Sequence, residues 1–207
     1  KGDRESARAD AERAVSLQPT NTMAVAVLSA LYKSAGETDK AIALLEKTNG
    51  LLPKEIDLRV ALAQIYAEKG SPEKVVTLLR ETIELSPKVA SRRILLARYL
   101  SSRNDLDGAE RELRAAVAAD ANNMETFRVL VDFLRVKRGL PAAEKELNDR
   151  IGKRPDDVRL KFELAALREQ AGEGPRAEAI YRTVIADDLT SPESLEARGK
   201  LAALVLR

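Results

Sequence analysis

Apolar residues return along this chain with the spacing i, i+3, i+4, i+7, which gives a helix one buried stripe. The stripe has a fixed internal order. A leucine is followed by a small residue at Leu28-Ser29, Leu62-Ala63, Leu96-Ala97, Leu164-Ala165 and Leu201-Ala202, with Leu130-Val131 a bulkier version. Three residues later stand Tyr32, Tyr66, Leu100 and Leu134, then Arg168 and Val205 in the last two cases. A corner follows, with glycine at Gly2, Gly36, Gly70 and Gly172, and Asn104 and Arg138 as exceptions, Gly139 standing beside the latter. A second stripe then opens with Ala7, Ala41, Val75, Ala109, Ala143 or Ala177 and continues with Ala11, Leu45, Leu79, Leu113, Leu147 or Tyr181. The pattern predicts pairs of antiparallel helices whose backbones approach closely where the small residues meet. Glycine suits the corner because it takes positive φ without strain.

The whole arrangement repeats. Pro19, Pro53 and Pro87 are 34 residues apart (53 − 19 and 87 − 53), and two further steps reach Ala121 and Pro155. The next proline in this role, Pro192, lies 37 residues on, so the sixth unit carries three extra residues. Proline after each second helix ends it and starts the next pair. One pair cannot bury its stripe alone, so neighbours must stack. The expected organisation is a single all-α solenoid over residues 1–207. It has a half unit 1–21, full units 22–55, 56–89, 90–123, 124–157 and 158–194, and a partial unit 195–207.

Period and residue sizes together resemble the tetratricopeptide repeat family over essentially the whole chain. The resemblance implies a right-handed superhelix that binds protein or extended peptide along a concave face lined by the first helices. One column departs from the family pattern. Where a bulky aromatic is common early in the first helix, this chain has Val25, Arg59, Arg93, Phe127, Lys161 and Arg198. The basic members are expected to lay their stems over the surface with their charges in water. The chain begins on a second helix, Arg4 to Leu17, and ends on a first helix near Glu193 to Leu206, with "LAALVL" apolar at its end. That reads as an excerpt of a longer array, or as a chain that stacks end to end in a homodimer.

Composition narrows the chemistry. Cysteine and histidine are both absent, which removes disulfides, thiolate nucleophiles, the commonest metal ligands and the usual general base near neutral pH. A net charge of +2 gives no global field for nucleic acid or anionic lipid. No apolar run approaches the ~20 residues that span a bilayer. The chain therefore reads as a non-catalytic binder with no cofactor, no metal, no nucleic acid partner and no membrane insertion. Two local motifs compete with that reading. "GEGPRA", Gly172 to Ala177, has the glycine spacing of a dinucleotide loop, but a helical pattern precedes it where such a loop needs a strand, so it reads as a corner. "RNDLDG", Arg103 to Gly108, lacks the acidic first and last ligands of a calcium loop, which Arg103 and Arg114 replace.

Transferred by column, the candidate partner-binding residues of the concave face are Asp57, Val60, Gln64, Ile94, Arg98, Glu125, Arg128, Asp132, Arg135, Arg159 and Phe162. Arg98, Arg128, Arg135 and Arg159 come from adjacent units, where converging guanidinium groups would suit carboxylates. The competing expectation pairs them with neighbours such as Asp132. Chaperone-binding members of the family hold a C-terminal carboxylate with Lys and Asn on successive first helices. The matching positions here, Ala26, Ala30, Val60, Gln64, Ile94 and Arg98, lack that set. The Arg- and Ala-rich style also resembles repeat arrays of bacterial envelope and exopolysaccharide-export proteins. That likeness implies an anionic polysaccharide partner and a periplasmic or envelope location ahead of the cytoplasm. RNA reading by helical repeats is a remote alternative, because few aromatics stand outside the core columns.

Overall fold

The computed structural model describes residues 2–205, with side chains for residues 4–204. The side chain of Val205 and all of Leu206 therefore lie outside the described residues. Among those described are twelve α-helices and no strand. They are α1 (Gly2–Leu17), α2 (Thr22–Ser34), α3 (Thr38–Leu51), α4 (Ile56–Glu68), α5 (Pro72–Leu85) and α6 (Ala90–Ser102), then α7 (Leu106–Ala119), α8 (Met124–Lys137), α9 (Leu140–Lys153), α10 (Val158–Gln170), α11 (Gly174–Asp187) and α12 (Pro192–Val205). Even-numbered helices are the first helices of the units and odd-numbered helices the second.

The residue columns acquire their physical reasons here. Leu28, Leu62, Leu96 and Leu130 are buried, as are Ser29, Ala63, Ala97, Val131 and Ala165 beside them, while Leu164 is half-buried. In the second helices Ala41, Val75, Ala109, Ala143 and Ala177 are buried one turn before Leu45, Leu79, Leu113, Leu147 and Tyr181. The first half unit is looser, because Ala7 is exposed and only Ala11 of its column pair is buried.

Four corners between first and second helix share one backbone motif. The left-handed residue is Gly36, Gly70, Asn104 or Gly172, with φ of 78°, 71°, 64° and 79°. The next residue donates its amide back to Tyr32, Tyr66, Leu100 or Arg168, each bond 2.9 Å long. This six-to-one closure satisfies helix-end carbonyls, and it fixes that column four residues before the corner. At the fifth corner Gly139 takes φ of 94° and Arg138 stays at −117°. Gly2, expected at an equivalent corner, is instead the first helical residue of α1, with no described first helix before it to be turned.

The returns from second to first helix are four residues long throughout, from 18–21 to 188–191. Asn21, Asn123 and Asp157 cap α2, α8 and α10 by accepting backbone N–H bonds. The three extra residues of the last unit do not lengthen their return. Helix α12 starts at Pro192, 34 residues after Val158 opens α10. Its inward face, Ala197, Leu201 and Leu204, instead lies 37 residues after Leu160, Leu164 and Leu167 (197 − 160 = 37). The insertion is therefore an added turn at the start of α12, with Ser194 buried in it.

The chain parts between Asp120 and Ala121 into two compact units. In the first, helices α1 to α7 each pack on the next. In the second, α8 to α12 do the same, and α10 also touches α12.

Candidate functional site

Within the first unit the first helices form a groove. Ala26, Ser29 and Ala30 of α2 face Asp57, Ala61 and Gln64 of α4 across about 240 Å³, over Leu45, Leu58 and Ile65. Small side chains on both walls open this space, because a larger residue at Ala30 or Ala61 would fill it. Lys33 spans one end through an ion pair with Glu68 at 2.5 Å. On the same helix Met23 and Val27 are 73% and 45% exposed. Of the sequence candidates, Asp57 and Gln64 line this space exposed, and Val60 is half-buried beside them.

Helix α6 continues the series with half-buried Ile94 and exposed Arg98. Between residues 85 and 104 the chain carries Lys88, Arg92, Arg93, Arg98 and Arg103 without a single carboxylate. Of these, Arg93 is taken by Glu112 of α7 at 2.9 Å.

In the second unit the expected gathering of free arginines is not what forms. Arg128 of α8 is bonded to Glu163 of α10, and that carboxylate raises its pKa. Arg135 lies 3.5 Å from Asp132, one turn away. Arg159 bonds Asp157 at 2.8 and 2.9 Å and helps hold that carboxyl below its ordinary range. Glu125 is exposed. Each arginine is thus neutralised by a local carboxylate, as mixed charge on stacked helices favours. Phe162 is a correction to its expected role as a groove contact. It is 6% exposed in the core, its ring 5.5 Å from that of Tyr181, because two apolar rings gain more by packing together than by facing water.

The basic column is a second correction. Arg59 is only 8% exposed, and its head pairs with Glu81 of α5 at 2.8 Å and donates to the Glu55 carbonyl at 3.2 Å. Arg93 and Lys161 likewise bond Glu112 and Asp187 on the second helices of their own units. These three charges tie the two helices of a pair together, whereas Arg198, in the same column, is exposed as expected and bonds the Leu189 carbonyl. Phe127, in the same column, is fully buried under the Arg150 guanidinium, 4.2 Å from its ring centre.

A pair of grooves on the second-helix side was not anticipated. One of about 430 Å³ is lined by Glu12, Leu28, Tyr32, Lys40 and Leu44, and one of about 350 Å³ by Glu46, Leu62, Tyr66, Lys74 and Leu78. Each residue of the first is 34 before its counterpart (46 − 12, 66 − 32, 74 − 40), so the spacing held the signal. Both tyrosines donate to the glutamate, Tyr32 at 3.2 Å and Tyr66 at 2.6 Å. They are groove walls as well as core residues.

Three solved structures share this arrangement of helices. The chain matches a tetratricopeptide repeat protein from Parabacteroides merdae with TM-score 0.53 and 19% identity, over 97% of this chain and 80% of that one. It matches yeast Tom70 with TM-score 0.55 and 17% identity, over 96% of this chain and 43% of that one. A chain of the Naa15/Naa10 complex bound to HypK-THB gives TM-score 0.51 and 15% identity, over 95% and 31%. The fold is that of tetratricopeptide repeat proteins. No protein-family model matches the chain, and no curated protein matches it in sequence. In this tetratricopeptide repeat fold Gly172 is a corner between α10 and α11 and follows a helix, so "GEGPRA" has no strand before it.

Proposed function

We propose that this chain is a non-catalytic scaffold that binds another protein through an extended segment laid along its first-helix face. The observation that carries the reading is the groove between α2 and α4, walled by Ala26, Ser29, Ala30 and Ala61, on a helix that also exposes Met23 and Val27. An extended backbone needs such a channel of small side chains, with apolar contacts at its edge and hydrogen-bonding groups such as Gln64 and Asp57 at intervals. Support by likeness comes from the Naa15/Naa10 chain, which occurs in a multi-protein assembly bound to HypK-THB.

The test is selection of binders from a random displayed peptide library, followed by titration of the winners against two groove-filling variants. Ala61→Phe closes the α2–α4 groove and is expected to weaken binding at least about tenfold. Ala43→Phe fills the groove on the other side of the same unit, where Ala43 is exposed, and is expected to leave binding unchanged. The reverse outcome transfers binding to the second-helix side, and a library that yields no binder overturns the scaffold reading.

A further inference from the structure

Positive charge in the first unit is left uncompensated at one place only along its first helices. Helix α2 carries a single cation, Lys33, which Glu68 neutralises. Helix α4 has Arg59 paired with Glu81 and two carboxylates of its own, Asp57 and Glu68. Helix α6 has three arginines and no carboxylate, with Lys88 just before it and Arg103 as its C-cap. Glu112 accepts from an Nη of Arg93, whose Nε is buried without a partner. Among the described residues Arg92, Arg98, Arg103 and Lys88 form no ion pair.

The register of the helices explains why. Ion pairs between successive first helices join residues 35 apart, as in Lys33 with Glu68 and Arg128 with Glu163. The same step places Arg98 against Ala63, which offers nothing to bond. It places Arg92 against Asp57, yet that pair does not close in the structure. The Nε of Arg92 is instead buried with no hydrogen-bond partner. A buried guanidinium N–H without an acceptor is unfavourable, and a carboxylate oxygen that reached it would relieve that cost.

Resting on the scaffold reading above, we infer that α6 is the segment of the first-helix face that selects the partner, and that it takes an acidic, extended peptide. Arg98 is exposed on the face that the α2–α4 groove approaches, half-buried Ile94 and Leu95 supply apolar contact beside it, and Arg92 and Arg103 flank it along the helix. Glutamate or aspartate side chains accept bidentate bonds from such groups, which lysine ammonium groups cannot offer. A nucleic acid fits less well, because base stacking needs exposed aromatic faces, and α6 offers only half-buried Tyr99. The net charge of +2 gives the chain as a whole no strong positive field for nucleic acid.

The experiment is fluorescence anisotropy with a labelled twelve-residue peptide of Glu, Asp and Ala, its Gln/Asn counterpart, and an oligouridine of equal length. The acidic peptide is expected to bind at least about tenfold more tightly than its neutral counterpart, and to weaken as salt rises from about 0.05 to about 0.3 M. Arg98→Gln and Arg92→Gln are each expected to reduce that affinity at least about fivefold. Arg128→Gln, whose side chain already belongs to Glu163, should change it by less than about twofold. Equal binding of the neutral peptide, or indifference to both α6 variants, overturns the acidic preference. Library peptides that still bind and remain sensitive to Ala61→Phe would leave the scaffold reading intact. Tighter binding of oligouridine than of the acidic peptide would make α6 a nucleic acid surface and overturn the inference in the other direction.

Discussion

Asp157 shows how much one side chain holds in this chain. It caps α10 through the Arg159 amide, bonds the Arg154 guanidinium at 2.6 Å and takes both arms of the Arg159 head. Its side chain is 9% exposed, so water replaces little of this if the carboxylate goes. Asp157→Ala is expected to cost ~2 kcal/mol, the upper range for a lost cap, read as a lower urea midpoint at unchanged slope. Glu37 is the corresponding test in acid. Bonds from Arg8, then Lys40, lower its carboxyl to about 2. A depressed carboxyl stabilises the fold above its ordinary range, and that contribution drains away as pH falls from about 4.5 toward 2. Carbon-detected NMR titration should place Glu37 near the lower value in the intact chain and higher in Arg8→Gln, still below its ordinary range because Lys40 remains. Which cations these two carboxylates hold was not legible beforehand. A column of residue types records which positions face the core, but the partner of a charge depends on which rotamer reaches across the gap.

At the scale of the element, corners and caps divide the labour. Added Cβ atoms at Gly36, Gly70 and Gly172 meet nothing within 4 Å, so substitution there tests backbone conformation alone. Each to alanine is expected to cost ~1 kcal/mol, the penalty of a left-handed residue with a side chain, measurable by thermal unfolding. Gly108 behaves for another reason. It lies in the first turn of α7, where alanine normally favours a helix by ~1 kcal/mol. Here the new Cβ would stand 2.3 Å from the Asp105 carboxylate that caps the same turn. Gly108→Ala should therefore yield no gain and loosen that cap, seen as faster exchange of the Gly108-site amide. The helices, their order and their corners were readable because period and steric demand leave the same mark in every unit. Asn104 was marked as an exception, and it takes the same left-handed turn as the glycines, since asparagine tolerates αL better than other side chains. Phe162 was misread because a first-helix column does not tell a groove wall from a core residue once Tyr181 supplies a ring to pack against.

At the scale of the whole molecule, stability in such arrays adds up from neighbours, so elements with few of them open first. Among the described residues helix α1 packs chiefly on α2 and buries one apolar side chain, Ala11. Its amides are expected to exchange well before those of α5 and α7, which bury Val75, Leu79 and Ile83, and Ala109, Leu113, Ala116 and Val117. Hydrogen exchange followed by mass spectrometry resolves the order, and equal protection would contradict it. The stacking of pairs could be read from the 34-residue period alone. The division at Asp120 could not, since the 34-residue period runs through it without a break.

The added turn of α12 limits how this array can be copied. Three residues fall short of the 3.6 in a turn, so they rotate the following face by ~60° and advance it by ~4.5 Å. A gene duplication or a designed graft that reiterates residues 22–55 would hand the next block an identical phase, and any groove would run on unbroken. Reiterating 158–194 would instead put an added turn at the head of every following first helix, its inward face arriving 37 residues on where the other units take 34. The insertion in the last unit is therefore a phase mark, and module-swapping experiments should draw their repeating block from the units before it.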